Sequence, residues 1–225
     1  MKSILAMLAG LLFITASAQE KRNVAPYNKV RVTGPYNVTL VSGTPGIISL
    51  EGNEKAISDI AVVSQDGTLT IKQKDNFLKS NRSTGNVKIT IPVADLNELY
   101  FTGSGNITSS ATIKSDIKVA LNGSGDIELN VSNENLTAIL TGSGDIKLKG
   151  VSQNFKCDVT GSGSIKAAGL AATNVEAEVT GSGDAEVSGK ENLKGRITGS
   201  GNIVYAGNPE NKDLKKKGSG EFKAL

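Results

Sequence analysis

Apolar and polar residues alternate along most of the chain, and the tripeptide Gly-Ser-Gly interrupts this alternation at regular intervals. Alternation with a period of two predicts β-strands that bury one face and expose the other. Seven copies of the tripeptide occur, separated by 18 to 20 residues, and they begin at Gly103, Gly123, Gly142, Gly161, Gly181, Gly199 and Gly218. The sequence is therefore a tandem repeat of short strands joined at glycine corners.

Aligning the repeats on the corner places residues of one kind in columns. The strand before the corner carries an apolar column of Leu121, Leu140, Val159, Val179 and Ile197. Two residues earlier lies a column of smaller residues, which are Val119, Ala138, Cys157, Ala177 and Gly195. After the corner comes a third column of Ile127, Ile146, Ile165, Ala185 and Ile203. We expect these columns to face the core and Cys157 to be a buried, unreactive thiol.

A repeat of about 19 residues with two short strands is too small to enclose a core alone, so the repeats must stack. The repeats show no sustained 3.6-residue periodicity, which excludes helical solenoids. We predict an all-β protein, a single-stranded β-helix (β-solenoid) with coils of about 19 residues and a right-handed turn. Stacking should place Glu128 opposite Lys147 and Lys166 opposite Glu186 on neighbouring coils.

The chain divides into three predicted segments. Residues 1–18 read as a secretory signal peptide, with a positive start at Lys2, an apolar run too short for a membrane span, and cleavage after Ala18. Residues 19–98 form an irregular N-terminal β module, which contains a degenerate coil at residues 29–40 and a hairpin turn at Asp66-Gly67. Residues 99–225 form the regular repeat and its C-terminal edge.

Composition removes several classes of function. Without Lys2, 24 of the 25 basic residues remain against 22 acidic residues, and the chain has no tryptophan. A nucleic-acid protein would need a strongly basic face with stacking aromatic side chains, so none is expected. The absence of histidine removes the commonest general base and metal ligand. The lysines at residues 215–217 are expected to discourage pairing at an exposed strand edge, and contact with an anionic surface stays an alternative.

The corner motif, for example TGSGDIKL at residues 141–148, allows three chemical interpretations. A phosphate loop is excluded because it needs a single glycine-rich turn that leads into a helix. Calcium prefers about six to eight oxygen ligands, whereas only Asp126 and Asp145 are neighbouring carboxylates here. No metal site is assigned, and weak cation binding at these two residues stays open. The favoured interpretation is structural, with glycines that permit the corner, and with Asp145 and its counterparts capping it through the local backbone and stacking as a ladder.

Catalysis would have to rest on outward carboxylates, the candidates being Glu128, Asp158, Glu178 and Glu186. These acids alternate with basic residues, which is typical of a solvated face, and no loop is long enough to build the walls of a cleft. We therefore assign no catalytic residue and no cofactor.

The start VTGPYNVTL, the hairpin DGTLTI and the repeated GSGDI and GSGNI corners closely resemble the head GIN domain family of autotransporter adhesins. The resemblance covers about residues 24–205. It implies a secreted, β-rich protein of the kind found in Bacteroidota-type bacteria, with no assigned enzymatic activity.

We predict a noncatalytic, secreted module of the cell envelope that binds a surface glycan or protein through its repetitive faces, as an adhesin does. Its location would be periplasmic, outer-membrane-associated or extracellular. Two alternatives stay open, namely a carboxylate enzyme that acts on polysaccharide and a purely structural envelope protein that forms homo-oligomers.

Overall fold

Successive coils of the chain stack in parallel, so that each residue pairs with the residue one repeat later. The result is a β-solenoid of about 7 turns that are about 19 residues apart, which confirms the predicted fold class. The computed structural model describes residues 18–74 and 87–225.

The strands, in chain order, are β1 (Ala18–Asn23), β2 (Lys29–Thr33), β3 (Asn37–Ser42), β4 (Ile47–Gly52), β5 (Ile60–Gln65), β6 (Thr68–Gln73), β7 (Lys88–Val93), β8 (Glu98–Gly103), β9 (Asn106–Ile113), β10 (Ile117–Gly123), β11 (Asp126–Gly142), β12 (Asp145–Gly161), β13 (Ser164–Gly181), β14 (Asp184–Gly199), β15 (Ile203–Ala206), β16 (Asn211–Lys217) and β17 (Phe222–Ala224). A short helix, α1 (Glu54–Ser58), lies between β4 and β5.

Each coil has a strand before its glycine corner and a strand after it, so the strands form two stacks. The first stack runs β5, β6, β2, β8, β10, the C-terminal halves of β11 to β14, and β16. The second stack runs β1, β4, β7, β3, β9, the N-terminal halves of β11 to β14, β15 and β17. One level of a stack is called a rung, and neighbouring rungs lie about 4.8 Å apart.

The three predicted columns form the core between the stacks. Leu140, Ile146 and Cys157 have no exposed surface, and the other members of the columns are buried with them. Burial raises the pKa of the Cys157 thiol, which disfavours the reactive thiolate. The predicted burial of Cys157 is thus confirmed.

The N-terminal end of the structure agrees in part with the elements predicted from the sequence. Residues 29–40 form a coil as predicted, because β2 pairs in parallel with β8 and β3 with β9. The hairpin is confirmed as well, since Asp66 and Gly67 have φ values of 50° and 72°, as a two-residue turn of type I′ requires. Strands β6 and β7 lie outside this coil although they follow it in the chain. Antiparallel strands β4 and β5 bring the chain back to the end of the stack.

Strand β8 pairs with both β2 and β10, so hydrogen bonding continues across the segment boundary that was predicted near residue 98. That boundary stays a prediction. The predicted signal peptide, residues 1–18, lies outside the described residues apart from Ala18, which begins β1. Across residues 18–74 and 87–225, no helix has the length and apolar character to cross a membrane.

At the C-terminal end of the solenoid, lysines take two of the three inward positions of the last rung of the first stack, and Leu214 takes the third. In β16, Lys212 takes the position below Leu193 and Lys216 the position below Ile197. The Lys216 Nζ donates to the Gly220 carbonyl oxygen at 3.1 Å. A side chain on Gly195 would lie 2.6 Å from the ring of Phe222, so the smallest residue of its column makes room for Phe222 to close the core.

Candidate functional site

A column of asparagines runs along the outside of the first stack, at the strand ends opposite the glycine corners. Its members occupy the same position on successive rungs and are Asn135, Asn154, Asn174, Asn192 and Asn211. Each Nδ2 from Asn154 onward donates to the Oδ1 of the preceding asparagine, with distances of 2.9, 2.9, 2.6 and 2.9 Å in chain order. We call this column the asparagine ladder.

The asparagine ladder begins at a carboxylate. Asn135 donates from Nδ2 to the Asp116 Oδ2 at 2.7 Å and from its backbone N–H to the Asp116 Oδ1 at 2.8 Å. Because an ionised carboxylate only accepts hydrogen bonds, Asp116 ends a chain of donors that all point toward it. These hydrogen bonds lower the pKa of the Asp116 carboxyl.

The ladder leaves part of each amide for other partners. A side-chain amide has two N–H donors and an oxygen with two lone pairs. An interior member such as Asn154 uses one donor and one lone pair within the ladder. The remaining N–H and lone pair can therefore bind water or a ligand, and they repeat on every rung.

A groove of about 470 Å³ lies beside the ladder and crosses four rungs. One wall is the ladder from Asn135 to Asn192, and the floor is the strand backbone at Leu136, Phe155 and Val175, whose side chains are buried in the core. The facing wall is formed by Thr137, Lys156, Glu176 and Lys194. Because these residues recur at the same positions of successive rungs, the groove runs parallel to the stacking axis. We call it the asparagine groove.

Sequence reasoning missed the asparagine groove, although a signal for it was present. Asn135 precedes Gly142 by seven residues, and an asparagine keeps this distance from the corner in four further repeats. In the repeat before them the same position holds Asp116. This column is more uniform than any other polar column before the corners except the threonines, but the apolar alternation is the stronger pattern and obscures it.

Replacing Asp116 with asparagine is expected to lower stability at neutral pH, because an amide nitrogen would then face one of the two donors of Asn135. Because folding lowers the pKa of the Asp116 carboxyl, Asp116 stabilises the folded protein most at pH values above the ordinary carboxyl pKa. This stabilisation is lost as the pH falls through the folded-state pKa. Urea-unfolding midpoints should therefore differ between wild type and Asp116→Asn at pH 7 and converge by about pH 2. If the urea midpoints of wild type and Asp116→Asn differ equally at both pH values, the ionised carboxylate of Asp116 is not what stabilises the end of the ladder.

A second groove of about 330 Å³ runs beside the glycine corners and contains the two predicted neighbouring carboxylates. The Asp126 Oδ1 accepts from the backbone N–H of Asp145 at 3.2 Å, and the Asp145 Oδ2 accepts from the Lys166 Nζ at 2.5 Å. The prediction that Asp145 caps its own corner is therefore wrong, because the side chains bond the next rung instead. In the part of the chain that the structure describes, no group of three or more His, Cys, Asp and Glu side chains could hold a metal ion.

The predicted charge pairs on the second stack are confirmed in register. Glu128 lies opposite Lys147, and its Oε1 accepts from the Lys147 Nζ at 3.3 Å and from the Lys149 Nζ at 2.8 Å. These two lysines lower the pKa of the Glu128 carboxyl. Lys166 is aligned with Glu186, but its ion pair goes to Asp145.

The four outward acids considered for catalysis do not meet in one place. Asp158 and Glu178 lie opposite each other in the first stack, whereas Glu128 and Glu186 lie in the second. Burial raises the pKa of the Asp158 carboxyl, and the charge of Glu178 adds to the effect. Neither Asp158 nor Glu178 lines the asparagine groove.

The family described as "Putative auto-transporter adhesin, head GIN domain" has a sequence model that matches residues 26–209 of this chain. The match covers most of the sequence, including all but the last of the glycine corners. The chain belongs to this family. No curated protein matches the sequence.

Solved structures show the same head GIN fold. A "putative adhesin" from Bacteroides fragilis is 26% identical with a TM-score of 0.83, over 96% of this chain and 100% of that chain. A "putative adhesin" from Parabacteroides distasonis is 23% identical with a TM-score of 0.72, over 93% and 97%. A "putative lipid binding protein" from the same species is 23% identical with a TM-score of 0.75, over 94% and 97%. At 23% identity the likeness shows the fold alone.

Proposed function

We propose that this head GIN domain protein is an exported, noncatalytic binding module whose asparagine groove holds a linear glycan. The observation that carries the proposal is the repetition of the same amide on successive rungs of a groove parallel to the stacking axis. The adhesin names of the family and of its structural neighbours agree with a binding role. The proposal also includes export through a signal peptide at residues 1–18. It further includes a module at residues 19–98 that closes the repeat of residues 99–225.

The spacing of the rungs favours a glycan over an extended peptide. Rungs repeat about every 4.8 Å, whereas a peptide strand repeats every two residues, about 6.7 Å. A peptide lying along the axis would therefore fall out of step with the amides within two rungs. One sugar of an extended β-linked glycan advances by nearly one rung spacing, so each sugar would meet an identical amide.

The chemistry of the groove fits a sugar as well. A sugar hydroxyl both donates and accepts, and each interior amide of the asparagine ladder keeps one donor and one lone pair.

The charges of the groove support binding without turnover. Hydrolysis of a glycosidic bond ordinarily uses two carboxyl groups on either side of the bond. Glu176 is the carboxylate that lines this groove, and the Lys194 Nζ lies 2.8 Å from its Oε1. This contact lowers the pKa of Glu176, so it is poorly suited to serve as a general acid.

A matched pair of substitutions tests the proposal. Thr137→Tyr places a ring over the groove, while Thr160→Tyr places the same ring on the same outer face away from the groove lining. Tyrosine is a favourable strand residue, so both variants should fold. In a screen of linear oligosaccharides by calorimetry, we expect Thr137→Tyr to weaken binding about tenfold or more and Thr160→Tyr to leave it within about twofold.

The alternative functions give different outcomes in the same samples. Shortening of the oligosaccharide by the wild-type protein would establish the enzyme alternative instead. Binding that both tyrosine variants weaken equally would place the ligand elsewhere. Failure of every linear glycan to bind would overturn the proposal.

A further inference from the structure

The asparagine ladder has one direction along the stacking axis. Each Nδ2 donates to the Oδ1 of the preceding asparagine, so the interior amides are aligned head to tail. The amide nitrogen, with its unused N–H, therefore faces the N-terminal end of the solenoid on every rung. The amide oxygen, with its unused lone pair, faces the C-terminal end.

The asparagines alone do not select this direction. If every side-chain amide of the ladder turned by half a rotation, nitrogen and oxygen would exchange places, and the amides would form the same hydrogen bonds in the opposite direction. One amide cannot turn alone, because it would face a nitrogen with its nitrogen on one side and an oxygen with its oxygen on the other. The amides of the ladder can therefore reverse only together.

Asp116 selects the direction because its carboxylate can only accept. It accepts from the Nδ2 and from the backbone N–H of Asn135, at 2.7 and 2.8 Å. A reversed ladder would place the Asn135 Oδ1 against this carboxylate, and neither group would supply a proton. At the other end, the Asn211 Oδ1 accepts no hydrogen bond from any residue that the structure describes, so that end does not select a direction.

We infer that Asp116 is a positioning residue that makes the asparagine groove bind a linear glycan in one direction only. This inference rests on the proposed glycan function and adds to it the orientation of the bound chain. Ring and glycosidic oxygens of a sugar only accept hydrogen bonds, whereas its hydroxyls also donate. The order of donors and acceptors along a linear glycan therefore differs between its two directions, and amides that all face one way match one of these orders on every rung.

The direction of the ladder can be measured in the free protein. Nuclear magnetic resonance detects the scalar coupling that crosses each hydrogen bond, and in the wild type we expect coupling from the Asn154 Nδ2 to the Asn135 Cγ and none from the Asn135 Nδ2 to the Asn154 Cγ. In Asp116→Asn the reverse coupling should appear. The new amide can accept from the backbone N–H of Asn135 through its oxygen while its nitrogen donates to the Asn135 Oδ1.

The direction of the bound chain is measured with linear tetrasaccharides that carry a nitroxide at the reducing end, cellotetraose and chitotetraose being the first probes. Asn135 and Asn192 lie three rungs apart, about 14 Å. In the wild-type complex, we expect the nitroxide to cause loss of the side-chain signal of one of these two asparagines only. In Asp116→Asn the signal at the opposite end should be lost as well, at least in part. Glu191→Gln removes an exposed carboxylate next to Asn192 that does not line the groove, and it should behave as the wild type does.

The outcomes separate this inference from the proposed function. Loss of both signals in the wild-type complex, or couplings in both directions in the free wild type, would overturn the single direction and leave glycan binding standing. If Asp116→Asn loses only the signal that the wild type loses, or if Glu191→Gln loses both, Asp116 does not set the direction. Failure of these tetrasaccharides and of every other linear glycan to bind would remove both proposals together.

Discussion

Gly142→Ala is expected to destabilise the protein by about 3 kcal/mol, which is a large share of the stability of a typical domain. Gly142 has a φ of 125°, where a residue with a side chain is strained. A Cβ at this position would also lie 2.3 Å from the carbonyl oxygen of Gly123 on the rung below. Because that neighbour is backbone in a stacked corner, it cannot move aside without breaking the rung. Urea unfolding followed by circular dichroism would measure the loss.

The serine of the same corner provides the control. Ser143 lies between the two glycines of its corner and is exposed, so Ser143→Ala should change stability by no more than about 0.5 kcal/mol. If Gly142→Ala and Ser143→Ala unfold at the same urea concentration, the backbone contact between corners is not what requires glycine.

The double substitution Lys212→Leu, Lys216→Val is expected to make the protein associate end to end. Both lysines occupy core-facing positions of β16, the last strand of the first stack. Charges that point inward at a sheet edge make pairing with a second edge costly, because the lysine would be buried. Sedimentation velocity over a range of concentrations should show growing assemblies for this variant.

Two lysines on the outward face of the same strand serve as the comparison. Lys215 pairs in register with Arg196 and Lys217 with Thr198, so neither faces the core. The double variant Lys215→Leu, Lys217→Val removes the same charge, and we expect it to sediment as the wild type does, without end-to-end association. Association of both double variants alike would show that net charge, and not its inward placement, protects this edge.

The regular part of the fold was predictable because one physical rule repeats in it. Alternation identifies the buried columns, and equal spacing requires the rungs to align, so the repeat spacing alone pairs Glu128 with Lys147. The N-terminal end lacks this repetition. Nothing in the sequence indicates that β6 and β7 pass outside β2 and β3, since that order depends on antiparallel contacts of β4 and β5. Helix α1 has five residues, too few for a helical period to be recognised.

The asparagine groove was missed for a different reason. Interpreting the corner residue Asp145 as a cap of its own turn assumed that polar side chains bond locally, as they do in isolated turns. In a solenoid the backbone one rung away is as close as the local backbone, so Asp126 bonds Asp145 and Asn135 bonds Asp116. The ladder that was expected for the corner residues therefore applies to the asparagine column as well.

The central claim is that a linear glycan lies along the asparagine groove, with one sugar on each rung. Nuclear magnetic resonance of the ¹⁵N-labelled protein tests it most directly, because each asparagine side chain gives its own pair of N–H signals. Titration with a bound oligosaccharide should shift the side-chain signals of Asn135, Asn154, Asn174 and Asn192 together, and leave that of Asn106 beside the glycine corners in place. Saturable binding that leaves the four ladder signals unmoved would contradict the account.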